Sequence, residues 1–97
     1  MQFRFSGELW EYEGEAPWVF VTLPTEVADE IAALVPERPG FGSVRVEVTV
    51  GSTTWRTSLF PDKVSASFVL PVKRQVRMRE DLDIGQTVDV AILVAPD

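Results

Sequence analysis

The chain has 97 residues and a mass of 10.8 kDa, 45% apolar and 25% charged: one domain with enough apolar surface for a core, and too apolar for disorder. It contains no cysteine and no histidine, which excludes zinc sites built on those residues, c-type haem, Cys–His nucleophiles and Ser–His–Asp triads. A net charge of −6 argues against wholesale binding to nucleic acid or anionic membranes, and no apolar run is long enough to span a bilayer.

In chain order, Phe3, Phe5, Leu9, Trp10 and Tyr12 mark a strand over residues 2–12 with a break at Gly7. Glu13 to Pro17 is turn chemistry. Trp18 to Leu23 follows as a strand apolar on both faces, which predicts burial on both. Pro24 stops it, and Thr25 is placed to cap a helix whose apolar stripe is Val27, Ile31, Leu34 and Val35. Residues 36–42 form a loop. Ser43 to Val50 alternates cleanly, with Val44, Val46, Val48 and Val50 on one face. Gly51-Ser52 suits a type II′ hairpin into Thr53–Leu59, and Pro61-Asp62-Lys63 turns again. Val64 to Leu70 reads as the next strand, Val72 to Arg79 as a short helix with Val72 and Val76 inward, and Gly85 as the opening of a last strand carrying Val88, Val90, Ile92 and Val94. Val46, Val48, Val90 and Ile92 are expected inside, with Phe20 and Phe68 against them.

The two halves echo one another. Thr22-Leu23-Pro24 leads through a helix and Gly42 to Val44-x-Val46-x-Val48, and Val69-Leu70-Pro71 leads through a helix and Gly85 to Val88-x-Val90-x-Ile92. The segment Leu70-Pro71, Val76-Arg77, Leu82, Gly85, Val88-x-Val90 resembles the swapped-hairpin pattern of AbrB-like and MazE-like transcription factors and antitoxins. The wider chain, through Trp18–Pro24, Gly42-x-Val44-x-Val46, Trp55–Leu59 and residues 70–90, resembles a bacterial family of unknown function with a double-split β-barrel, found alone or fused to a YdeI/OmpD-associated domain. Gln86 stands where that family usually has aspartate, and Val76-Arg77 lies farther from Pro71 than the AbrB-like pattern places its pair. The resemblance implies a mostly-β fold: a small double-split β-barrel of six to seven strands with two short helices, in one domain over residues 1–97. If the halves are an internal duplication, one chain closes the barrel and the protein is a monomer.

Charge is segregated. Residues 1–40 carry eight acids and two bases, residues 41–79 two acids and seven bases, and residues 80–97 five acids and no base. Lys73, Arg74 and Arg77 fall on the second helix at neighbouring positions, and Arg56 on the strand before it. Two readings are open: an anion site that uses the planar fork of arginine, or a solvated face paired with Glu80, Asp81 and Asp83. Trp10, Trp18 and Trp55 are core or rim residues, or one indole, such as Trp55, stacks on a ligand whose charge Arg56 holds. Glu11, Glu13 and Glu15 share parity and read as a solubilising edge rather than a cation site. Asp81 to Gly85 lacks the ligands of a calcium loop, so no metal and no cofactor are expected.

Catalysis needs an activated nucleophile or an acid–base pair, and with no histidine and only two lysines the chain offers neither. The sequence therefore reads as a non-catalytic binding module for a small anionic ligand or a protein partner, through Trp55, Arg56, Lys73, Arg74 and Arg77. The alternative is an AbrB/MazE-like DNA-binding or antitoxin-type regulator. Met1 to Phe5 lacks the apolar stretch of a signal peptide, which points to the cytoplasm.

Overall fold

Alternation sets the sheet. In the computed structural model, which describes residues 1–37 and 42–94, Val44, Val46, Val48 and Val50 all point inward from β3 (Val44–Val50) and are buried. Val88, Val90 and Ile92 do the same from β6 (Thr87–Val94). Burying one such side chain is worth about 1.5–3 kcal/mol, so a one-residue slip of β3 would forfeit about 6–12 kcal/mol, as much as a small domain's whole stability. That fixes the register, with Val48 opposite both Ile92 of β6 and Trp55 of β4 (Thr53–Asp62).

The remaining elements are β1 (Gln2–Tyr12), β2 (Trp18–Thr22), α1 (Thr25–Leu34), β5 (Ser67–Pro71) and α2 (Arg74–Arg79). All strand pairs are antiparallel, and the ring β1-β2-β5-β4-β3-β6 closes on itself. Two long strands make closure possible by changing partner midway. Residues 2–8 of β1 pair with β6, and residues 9–12 with β2. Residues 53–59 of β4 pair with β3, and residues 60–62 with β5. The chain is thus β1-β2-α1-β3 followed by β4-β5-α2-β6, related by a pseudo-two-fold. Equivalent positions meet on its axis: Thr22 and Val69, each just before Leu-Pro, pair with one another, as do Val48 and Ile92. This is the double-split barrel that the resemblance implied, with six strands, two helices and the pseudo-two-fold of the internal echo.

The details correct several expectations. Gly7 does not break β1. It lies just before the switch of partners, where an added Cβ would stand 2.5 Å from Val21 Cγ1, so only glycine lets β1 and β2 approach. Thr25 is the first helical residue rather than the cap: the Pro24 carbonyl accepts the first helical bond from Ala28 (3.0 Å), and the Thr25 hydroxyl turns to Glu26. Leu34 is exposed, and Ala28 joins Ile31 in the buried stripe. β4 runs on past Pro61 because its neighbour there is β5, and residues 63–66 form the turn, with Ala66 at φ 55° and Val64 almost wholly exposed. α2 starts at Arg74, leaving buried Val72 in the connection. Gly85, at φ 91°, belongs to the turn before β6. Gly51, at φ 60°, followed by a residue of negative φ, is the expected type II′ turn. Of the expected loop, residues 38–41 lie outside the described residues.

Inside the ring sit Leu9, Val21, Leu59, Leu70, Val90 and Ile92, with Ile31 of α1 and Val76 of α2 packed onto the same cluster. Phe68 is there as expected; Phe20 is not, because β2 buries Val19 and Val21 and turns Trp18, Phe20 and Thr22 outward. No described helix is long and apolar enough to cross a membrane. A ring closed by one chain has no free edge for strand exchange. Light scattering across a concentration series is expected to give a constant mass near 10.8 kDa; a dimer of constant mass across the series would contradict the monomer.

Candidate functional site

Cations are gathered where β5 hands over to α2. Pro71 ends the strand, and the next residue is fixed by a bond from Val72 N–H to the Val19 carbonyl (2.9 Å). Arg77 Nε donates to the Val72 carbonyl (3.1 Å), holding that half-buried guanidinium against the connection. Lys73, in extended conformation at the cap, and Arg74 are exposed beside it. From β4 come Trp55, which packs against the core, and Arg56, an exposed side chain opposite Glu47 on β3 at 3.7 Å.

These five residues, brought together from two elements, line one cleft of about 530 Å³, which Trp18 and Phe60 also line. Four of the lining groups are cationic and none is acidic, in a chain of net charge −6. Such an arrangement focuses a positive potential where the rest of the surface is negative. The downstream acids do not neutralise it. Arg56–Glu47 is the one ion pair among the described residues, and it is too exposed to hold either partner firmly. Glu80 turns to the β3–β4 hairpin, and the backbone of Asp81 closes α2 in a left-handed conformation (φ 55°), with Leu82 N–H on the Arg77 carbonyl at 2.8 Å.

An aromatic cleft of about 710 Å³ adjoins the first and shares Trp18 and Phe60 with it. Phe20 lies at its centre, stacked on Trp18 (centroids 5.9 Å apart, planes 6° apart) and edge-on to Tyr12 (6.5 Å), with Trp10 at 5.3 Å. Trp10 is pinned by a bond from Nε1 to Thr22 Oγ1 of 2.9 Å. Trp18 is 51% exposed and Phe60 41%. Reading Trp18–Leu23 as buried on both faces hid this surface; the sequence signal was the shared parity of Trp10 and Tyr12 with their cross-strand partners Phe20 and Trp18.

Glu80, named in the sequence only as a partner for the cations of α2, is bonded elsewhere. Its carboxylate accepts hydrogen bonds from Thr53 Oγ1 (2.5 Å) and Ser52 Oγ (3.2 Å), fastening the end of α2 to the turn between β3 and β4. The Thr53 bond, then those from Ser52 and the charge of Arg79, hold its pKa below the ordinary 4.5 against some desolvation. A depressed carboxylate adds stability that is present above its unfolded pKa and lost as pH falls through the folded one. Glu80→Gln is therefore expected to lower the urea midpoint at neutral pH, with the gap to the parent closing in acid once the folded carboxylate is protonated. An equal gap at both would show that the charge contributes nothing.

Glu11, Glu13 and Glu15 are exposed, and among the described residues no group of three or more acids is arranged to hold a metal ion. A search of curated proteins gives no match. The family model for the domain of unknown function DUF1905 matches residues 5–92, from within β1 to within β6 and so across both helices, and the chain belongs to that family.

Proposed function

We propose that this domain is a monomeric, non-catalytic binding module that holds a small anionic ligand between β4 and the start of α2. The supporting observation is the composition of the cleft wall: Arg56, Lys73, Arg74 and Arg77, with no carboxylate among them, in an acidic chain. Cations this close repel one another, and a bound anion relieves that repulsion. Arginine suits the role because its planar fork meets two oxygens of a carboxylate, sulfate or phosphate at once. Trp55 gives the cations a rigid apolar backing that lowers the local dielectric. The DNA-binding and antitoxin alternative draws no comparable support, since a single chain closes the ring that the swapped dimer would otherwise complete.

Sulfate is the simplest probe. At a tenfold excess over its Kd, a ligand of the folded state alone adds about 1.4 kcal/mol, or about 5–10 °C in a domain of this size. Sulfate also stabilises proteins by exclusion from their surfaces, so the comparison is with Lys73→Ala/Arg74→Ala and with Arg74→Ala/Arg77→Ala at matched ionic strength. Both double variants are expected to lose most of the excess of sulfate over chloride in Tm while remaining folded. The first pair removes only exposed side chains, so it guards against a folding defect. Equal salt responses in parent and variants would reduce the cluster to a solvated face.

A further inference from the structure

We infer that the anion is the head of an amphiphile, whose apolar body lies along the outward aromatic face of β1, β2 and β4; this rests on the reading of the cationic cleft as an anion site and names the class of ligand it takes. Continuity carries the inference. Trp18 and Phe60 wall both clefts, so a molecule seated among the cations has these rings beside it. Their exposure belongs to one contiguous patch with Tyr12, which is 52% exposed, rather than to scattered surface residues. The patch is preorganised as well: Phe20 is braced by three rings, and Trp10 is bonded to Thr22, so little side-chain entropy remains to be lost on binding.

Charge gives the ligand a direction. The cations border only one end of the combined groove, while Asp62, bonded to Ser65 Oγ at 2.7 Å, borders the aromatic cleft. An anionic head is drawn toward Arg74 and Arg77 and repelled from Asp62, which leaves the apolar body on Trp18 and Phe60. Each cleft falls in the range of roughly 300–1,000 Å³ typical of small-molecule sites. Naphthalene-2-sulfonate has both parts, sulfate has the head alone, and naphthalene-2-methanol the body alone.

Isothermal titration calorimetry at constant ionic strength separates the terms. Naphthalene-2-sulfonate is expected to bind at least about tenfold more tightly than either sulfate or naphthalene-2-methanol. Tyr12→Ala and Val64→Ser, at exposed positions that line the aromatic cleft and not the cationic one, are each expected to cut the advantage over sulfate while leaving the sulfate affinity within about twofold. Equal affinities for sulfate and naphthalene-2-sulfonate, or an advantage untouched by either variant, would overturn the amphiphile and leave the anion site standing. Naphthalene-2-methanol binding as tightly as the sulfonate would overturn it too, because the head would then contribute nothing. Failure of both sulfate and sulfonate to bind would overturn the anion site along with the inference.

Discussion

Ring closure depends on the two strands that divide their hydrogen bonds between neighbours. β1 gives its first half to β6 and its second to β2, and β4 divides itself in the same way between β3 and β5. A strand that changes partner must bend without leaving backbone donors unpaired, and the chain does this where Gly7 lets β1 approach Val21 of β2. Beyond the switch, Leu9 N–H donates to the Gln86 carbonyl (2.9 Å) and the Leu9 carbonyl accepts from Gly85 N–H (2.7 Å), so the turn before β6 satisfies the groups released from the ladder. With both strands divided, six strands close around one apolar cluster and no buried side-chain polar atom among the described residues lacks a partner. Even Ser67, buried at the start of β5, donates to the Leu23 carbonyl at 2.7 Å.

The cleft is a by-product of that closure. Where β4 turns from β3 toward β5, Arg56 and Phe60 fall on either side of the change, so one strand contributes both a cation and an aromatic wall. The β5–α2 connection is bonded to β2 through Val72 and Val19, and α2 is fastened at its far end by Glu80. A six-residue helix has too few internal bonds to be stable alone, so its cations owe their positions to these two attachments and to buried Val76. The related half shows that this is not imposed by the fold. α1 follows the same Leu-Pro step, yet its first turn carries Glu26 and its last turn no base. Two equivalent corners of one barrel have opposite charge, and the cationic one is lined by the exposed rings of Trp18 and Phe60.

Much of the fold was legible because period-two alternation in a half-buried strand leaves little freedom. Val44 to Val50 and Val88 to Val94 read directly, and the repeated Leu-Pro, glycine and alternating strand revealed the pseudo-two-fold. The errors share a cause: local signals do not report which neighbour a strand has. Val64 looks like a strand residue by pattern and is a turn residue because β5 meets β4 only from Ser67 onward. Phe20 looks like core by composition and faces outward because Val19 and Val21 claim the interior. For the site, the cations were visible as a charge run, whereas their junction with Trp18 and Phe60 depends on β2 and β4 flanking β5, a tertiary fact with no short-range signature. The diversion of Glu80 to Thr53 has none either, and it turns that carboxylate away from the cleft cations with which sequence proximity paired it.

That the cationic cleft is an anion site is tested most directly by following backbone amides in a sulfate titration by NMR at constant ionic strength. The amides of Trp55, Arg56 and residues 72–77 are expected to shift together and saturate with one shared Kd, while those of Arg4, Arg45 and Lys63, cations outside the cleft, stay near their starting positions. Small, linear, unsaturated shifts spread alike over all exposed cations would contradict the site, because that is the signature of general screening.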